Sequence, residues 1–374
     1  MNTKALIALT LALTVMLGCE DESSSLDDGI ASIFERAEEG DVEAKYALAL
    51  KYSSGTDLPE DPEEGRFWLE RAAEAGSVFA QEDLARLHSG GSGADLDEGR
   101  AFYWAERAAE QGSNPGKDML GYFYREGIGV DVDLERAAYW TRLAAEEGVP
   151  ASVFRLGIFY HHGIGVERDS TEAFKWTQVA AEQGDGAAQY NTALYYLRGW
   201  GVDVDVDQGL GWMRRSAEQG VPEAQHFMGK AYEDGDHLDE DHQEALFWYE
   251  KAAAQGHAPS QYRLGVMHYF GRGMPRDYSA AATYYALAAE QGHAFSMSLL
   301  GSLYEKGEGV AEDPVLAYKW HSLSVTAAEA DPTVPARDAG VFRTGLYMLE
   351  EDMLAEDIRE AQQRSSAWWR AYQR

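Results

Sequence analysis

A tryptophan returns in this chain at a fixed interval. Trp68, Trp104, Trp140, Trp176, Trp212, Trp248 and Trp320 are spaced by 36 residues or a multiple of 36, and Tyr284 takes the one skipped place. Nothing is inserted or deleted across eight copies. In the same register run Gly40, Gly76, Gly112, Gly148, Gly184, Gly220, Gly256 and Gly292, together with Asp61, Asp97, Asp133, Asp169, Asp205, Asp241, Asp277 and Asp313. Such a period restricts the fold severely, because a unit of this length cannot bury its apolar face alone and must stack on its neighbours.

Within a unit, the stretch from Asp to Gly reads as an amphipathic helix, here helix B. In "DSTEAFKWTQVAAEQG" the residues Ala173, Trp176, Val179 and Ala180 recur at helical spacing. The Asp stands where an N-cap accepts free N–H groups of the first turn, and Glu64, Glu172, Gln208 and Glu244, three residues on, predict capping boxes. The Gly at the far end suits a left-handed helix stop. Helix A follows each Gly, as in "ASVFRLGIFYHHG", where Tyr160 is expected to end the helix. Its interior carries Gly121, Gly157, Gly229, Gly265 and Gly301 where other copies have Ala49, Ala85 and Ala193. Glycine inside a helix costs about 1 kcal/mol against alanine, so its recurrence predicts close helix approach. No alternating strand-type segment appears between residues 41 and 328. The expected fold is all-α, a solenoid of eight 36-residue helix pairs.

The pattern AxxxLGxxYxxGxGVxxDxxxAxxWxxxAAxQG describes residues 151–184 and, with small departures, the other copies. This resembles Sel1-like repeats, relatives of the tetratricopeptide repeat, over residues 41–328, about three quarters of the chain. The resemblance implies a right-handed α/α superhelix that serves as an adaptor for protein complexes. Beyond the repeats, "MLAEDIREAQQRSSAWW" is similar to the closing helix often found in this family. Lipid-anchored members include a scaffold of alginate export, so exopolysaccharide export is one sharper expectation. Other members are linked to β-lactam binding or hydrolysis, but those rely on a disulfide pair in each repeat, which this chain lacks. A signalling adaptor that samples peptidoglycan or a membrane regulator is a further alternative.

The N-terminus follows different rules. Lys4 precedes 13 largely apolar residues, Ala5 to Leu17, and then "MLGC". That length suits a signal peptide and is too short for a spanning helix. The segment resembles a bacterial lipoprotein signal, cleaved before Cys19, the chain's one cysteine, which would be acylated. Met16 stands where Leu is usual. By the same resemblance Glu20, rather than Asp, after the cysteine favours the outer membrane over the inner, with the chain facing the periplasm. The expected organisation is a signal peptide at 1–18, an acidic and serine-rich tether at 19–30, a solenoid at 31–328 and a helical cap at 329–374. Its units run 41–76, 77–112, 113–148, 149–184, 185–220, 221–256, 257–292 and 293–328. With Cys19 acylated, the mature chain has no thiol for disulfides or cysteine metal sites.

Charge excludes one class of partner. Against 32 Lys plus Arg stand 64 Asp plus Glu, a formal charge of −32, which repels nucleic acid. Such acidity suits a protein partner with a basic surface, a secreted surface that must stay soluble, or a salty habitat.

Several motifs look chemical and read better as architecture. The Gly-x-Gly turn recurs at 91/93, 127/129, 163/165, 199/201, 271/273 and 307/309, while Gly55 and Gly235 keep only the first glycine. A dinucleotide fingerprint needs a preceding strand and an open helix N-terminus, whereas here a helix precedes and an Asp fills the helix start. The Trp column, shared by every copy, reads as core rather than as sugar-stacking platforms. The eight Asp belong to different loops and read as caps rather than as metal ligands. His161 and His162 diverge by about 100° on a helix, and His237 and His242 flank "LDED" without diagnostic spacing. No catalytic set, metal or cofactor is expected, so the function read here is that of a non-enzymatic scaffold.

Function then belongs to what varies. Positions 11, 15, 18 and 22 after the tryptophan share one face of helix A, and their occupants change between copies. The candidate partner groove comprises Arg86, Tyr122, Arg155, His162, Arg198, Phe227, Arg263, Phe270 and Phe295. In repeat solenoids the inner helices line a concave surface, which is where this stripe is expected to lie.

Overall fold

The computed structural model describes residues 23–90 and 96–373. The signal segment, Cys19 and the 91/93 glycine turn lie outside the described residues. Nineteen helices and no strand occur among the described residues. Helix α1 (Ser23–Glu39) precedes the repeats. The A helices are α2 (Val42–Ser54), α4 (Val78–His88), α6 (Asn114–Glu126), α8 (Pro150–His162), α10 (Gly186–Arg198), α12 (Pro222–Asp234), α14 (Ala258–Phe270) and α16 (Ala294–Lys306). The B helices are α3 (Pro62–Glu74), α5 (Glu98–Glu110), α7 (Leu134–Glu146), α9 (Ser170–Glu182), α11 (Val206–Glu218), α13 (His242–Ala254), α15 (Tyr278–Glu290) and α17 (Pro314–Ala330). Helices α18 (Ala336–Asp352) and α19 (Ala355–Tyr372) follow. The fold is an all-α solenoid. It comprises two compact units that divide after Trp176, and within each the packing is mainly between consecutive helices, with α19 also packing on α17.

Each B helix starts where the sequence places it. The Asp133 carboxylate accepts the Arg136 N–H at 2.9 Å, and Asp277 accepts from Ser279 and Ala280 at 2.9 and 3.0 Å. All eight aspartates cap in this way. The capping box is not completed, because the aspartate's own N–H is already committed to helix A. Asp169 N–H donates to the Tyr160 carbonyl at 3.0 Å, and Asp205 N–H to Tyr196 at 3.1 Å. Glu172, expected to supply the return bond, instead accepts from Trp176 Nε1 at 3.1 Å. This aspartate therefore closes the turn between A and B as well as opening B.

The turn glycines serve close packing. Gly165 has φ +64°, and a Cβ there would run into the Leu134 carbonyl oxygen at the start of α7. The helix that precedes it continues two residues past Tyr160, to His162, and stops at Gly163 in the left-handed conformation. Where the second glycine is missing, the backbone keeps the same shape, since Asp57 and His237 occupy its place with φ of 63° and 67°. Inside helix A, a Cβ on Gly265 would overlap the ring of Tyr285 on α15, which is the close approach the sequence predicts.

The Trp column lies largely in the core. Trp68, Trp104, Trp212, Trp248 and Trp320 are buried, while Trp140, Trp176 and Tyr284 are half-buried. A polar ladder accompanies it. Gln255 donates to the Gln225 side chain at 2.9 Å, and Gln225 donates in turn to the Ala217 carbonyl at 3.0 Å. Gln291 and Gln261 repeat the arrangement one copy later, at 2.8 and 3.3 Å. Each rung satisfies a carbonyl near the end of one B helix from the next A helix, so polar groups are paired where burial would otherwise be costly.

The N-terminal end departs from the sequence reading. From Ser23 onward the segment expected as a tether belongs to α1, which buries Ile30 and Ala37; Phe34 meets Trp68 edge-on at 6.2 Å. The apolar positions after residue 29 have helical spacing, and the polar residues before them extend the same helix. At the other end α19 carries Trp368, 6.1 Å from Trp320.

Candidate functional site

The nine groove residues do not share one environment. In the first unit Arg86 is exposed and paired with Asp83 at 2.7 Å. Asp83 also accepts the Tyr46 hydroxyl at 2.8 Å, and burial, reinforced by this bond, pushes the Tyr46 pKa up to about 12. Arg125 lies over the Tyr122 ring at 5.5 Å, and Arg155 is held by Asp118 at 2.8 Å. His162, at the end of α8, is exposed beside His161.

In the second unit Arg198 sits over Trp200 at 5.1 Å, Phe227 is half-buried, and exposed Phe270 lies beneath Arg272 at 5.4 Å. The structure brings Arg263 and Phe295 together in an open cleft of about 310 Å³, whose other walls are His226, Pro259, Tyr262 and His293. Helices α12, α14 and α16 each contribute to it, so three successive copies build one site. Its apolar side is a set of ring contacts, Tyr262 with His293 at 4.9 Å and with Phe295 at 6.2 Å. Phe342 of α18 closes on Phe295 edge-on at 5.3 Å.

Arg263 is positioned from below by a buried acid. Glu233, whose side chain is 2 % exposed, lies 3.6 Å from Arg263 and 3.2 Å from Arg272, and accepts the Tyr249 hydroxyl at 2.8 Å. Burial and the Glu233 charge both push the Tyr249 pKa up, so the phenol stays protonated and donates.

The histidines are set by capping. Nδ1 of His257 accepts the Ser260 N–H at 3.3 Å, and Nδ1 of His293 accepts the Ser296 N–H at 3.3 Å. A nitrogen that accepts carries no hydrogen, so both neutral rings hold their proton on Nε2. The Ser260 hydroxyl, 2.9 Å from that same His257 Nδ1, must then donate to it. Its remaining contact, His226 Nδ1 at 2.9 Å, must be a donor, which leaves Nε2 of His226 as an acceptor. Burial, reinforced by His257 and Arg263, pushes the His226 pKa down to about 3; burial and Arg263 push that of His293 down to about 4. The rings are neutral hydrogen-bonding groups.

Sequence reasoning found Arg263 and Phe295 and missed His226, Tyr262, His293 and Glu233. The signal was present. Position 14 after the tryptophan is three residues from position 11 and four from position 18, so it borders the same helical face, and it holds His226 and Tyr262. Position 9 is the helix-A cap, where His257 and His293 replace Ser77, Ser113 or Asp185. Among the described residues no group of three or more His, Cys, Asp or Glu is assembled to hold a metal. His237 and His242 instead lie 3.4 Å from Asp236 and Glu240 respectively.

The family model described as Sel1 repeat matches eight segments, at residues 42–77, 78–113, 118–149, 150–185, 186–221, 222–257, 258–293 and 294–327. A Sel1 repeat protein from Oxalobacter formigenes is similar at 31% identity and a TM-score of 0.68, over 90% of this chain and 93% of that one. The protein c5321 of uropathogenic Escherichia coli, a protective antigen with an SLR fold, is similar at 26% identity and a TM-score of 0.57, over 97% of this chain and 94% of that one. No curated protein matches the chain. With the model matched across most of its length, the chain belongs to the Sel1 repeat family.

Proposed function

We infer that this protein is a non-enzymatic scaffold, anchored through acylated Cys19 and facing the periplasm, that binds protein partners through the variable faces of its A helices. One observation carries the reading. On a frame that repeats without insertion, α12, α14 and α16 contribute different side chains to one cleft of aromatic rings, neutral imidazoles and a guanidinium. Constant positions hold the stack, and variable ones face outward for recognition. Sel1 repeats in general mediate protein–protein interaction, which agrees with this division. Assembly of an outer-membrane complex, such as one for exopolysaccharide export, is the process the reading favours.

Affinity purification from envelope membranes tests it. Co-purifying proteins are expected with the wild type and should be lost when Tyr122, Arg155 and Phe227 are replaced together by alanine; an unchanged set of proteins overturns the reading. The anchor is tested by a clickable fatty acid, which should label the wild type and not Cys19→Ser.

A further inference from the structure

The cleft differs in charge from the molecule that carries it. Acids outnumber bases two to one in the chain, yet none of the six residues that line the cleft is acidic, and Arg263 is its one fixed charge. Glu233 does not cancel that charge, because it also faces Arg272, so one carboxylate meets two guanidiniums. The nearby acids are placed elsewhere. Asp331, outside the lining, accepts the Thr333 N–H and hydroxyl at 2.8 and 2.7 Å and acts on His293 less strongly than Arg263 does, and Glu223 acts on His257, itself outside the lining. The hydrogen-bonding character is also fixed, with Nε2 of His293 a donor and Nε2 of His226 an acceptor.

Resting on the scaffold reading, we propose that this cleft recognises an extended segment of the partner protein that carries an aspartate or glutamate beside an apolar side chain. The carboxylate sits against Arg263 and the Nε2–H of His293, where charge-assisted bonds are strong. The apolar side chain packs on Tyr262, Phe295 and Pro259, and an N–H of the segment donates to Nε2 of His226. Arg263 can turn to the ligand without stranding Glu233, which keeps Arg272 and the Tyr249 hydroxyl. The −32 charge favours a basic partner at long range, while the cleft selects the opposite sign on contact.

Calorimetric titration of the full chain with three blocked peptides tests this: acetyl-Leu-Asp-Phe-Gly amide and its Asn and Lys counterparts. The Asp peptide is expected to bind about tenfold tighter than the other two. Arg263→Gln should erase that preference with helicity unchanged, and Phe295→Ala should weaken all three. Equal binding of the peptides, no binding of any, or a preference that survives Arg263→Gln overturns the proposal. If partners from envelope membranes are lost with the Tyr122, Arg155 and Phe227 variant but kept by Arg263→Gln, the scaffold reading stands and the acidic-segment proposal falls.

Discussion

Histidine caps two of the helices that wall the cleft, and a capping atom must accept a hydrogen bond. Protonation would put a hydrogen on Nδ1 and turn the cap of α16 into a clash with the Ser296 N–H. Geometry and burial thus act together on His293. His226, desolvated and between other cations, follows the same direction. An unfolded histidine titrates near 6.5, whereas these two fall to about 3 and about 4 in the fold, so between those values the unfolded chain binds protons that the folded chain does not. Their contribution is complete above pH 6.5 and is lost as pH falls toward 4 and then 3. Denaturant unfolding at pH 7.5 and pH 5 should show a wild-type loss exceeding that of His226→Asn/His293→Asn, by up to about 2 kcal/mol per ring. Asparagine can cap and does not titrate, so equal losses in the two proteins would refute the assignment.

At the scale of elements, what every copy shares was readable and what arises between copies was not. Eight aspartates in phase announced eight B-helix starts, and seven glycines announced the stops of the first seven, while α17 has no glycine there and runs on to Ala330. Whether a capping box forms depends on where the aspartate's N–H goes, and a carbonyl of the preceding helix A decides that. The cleft escaped for the same reason, since Ser260 joins His226 of one copy to His257 of the next. A periodic sequence shows columns, whereas this contact joins different columns across a repeat boundary. The A-helix caps carry the variation further. Asp41, Ser77, Ser113 and Asp185 cap through side-chain oxygens, but Val149 and Val221 make no such bond. Pro222 already fixes the first helical residue after Val221. Val221→Asp should therefore raise stability by about 1 kcal/mol, read as a shift in the denaturant midpoint. No shift would mean that the valine methyl groups contribute as much through packing as the cap does.

At the scale of the whole molecule, a stack of units has ends, and the last apolar face needs a cover that no further repeat supplies. In the second unit α18 and α19 provide it. Trp368 packs near Trp320, the Tyr318 hydroxyl donates to Glu350 at 2.6 Å and accepts from Gln362 at 3.2 Å, and the Tyr372 hydroxyl donates to the Gln291 carbonyl at 2.9 Å. Phe342 reaches Phe295 and so ties the cover to the wall of the cleft. A chain ended after Ala330 would expose Tyr318, Trp320 and Leu323 and would leave Phe295 without its edge-on partner. Because repeats are coupled mainly to their neighbours, the damage should be graded. Hydrogen exchange should speed up most in α16 and α17, less in α14, and least in α10. Binding at the cleft should weaken in the same truncated chain even where α12 and α14 remain protected. Uniform loss of protection from α10 to α17 would instead show that the unit melts as one body and that the cover supports all of it.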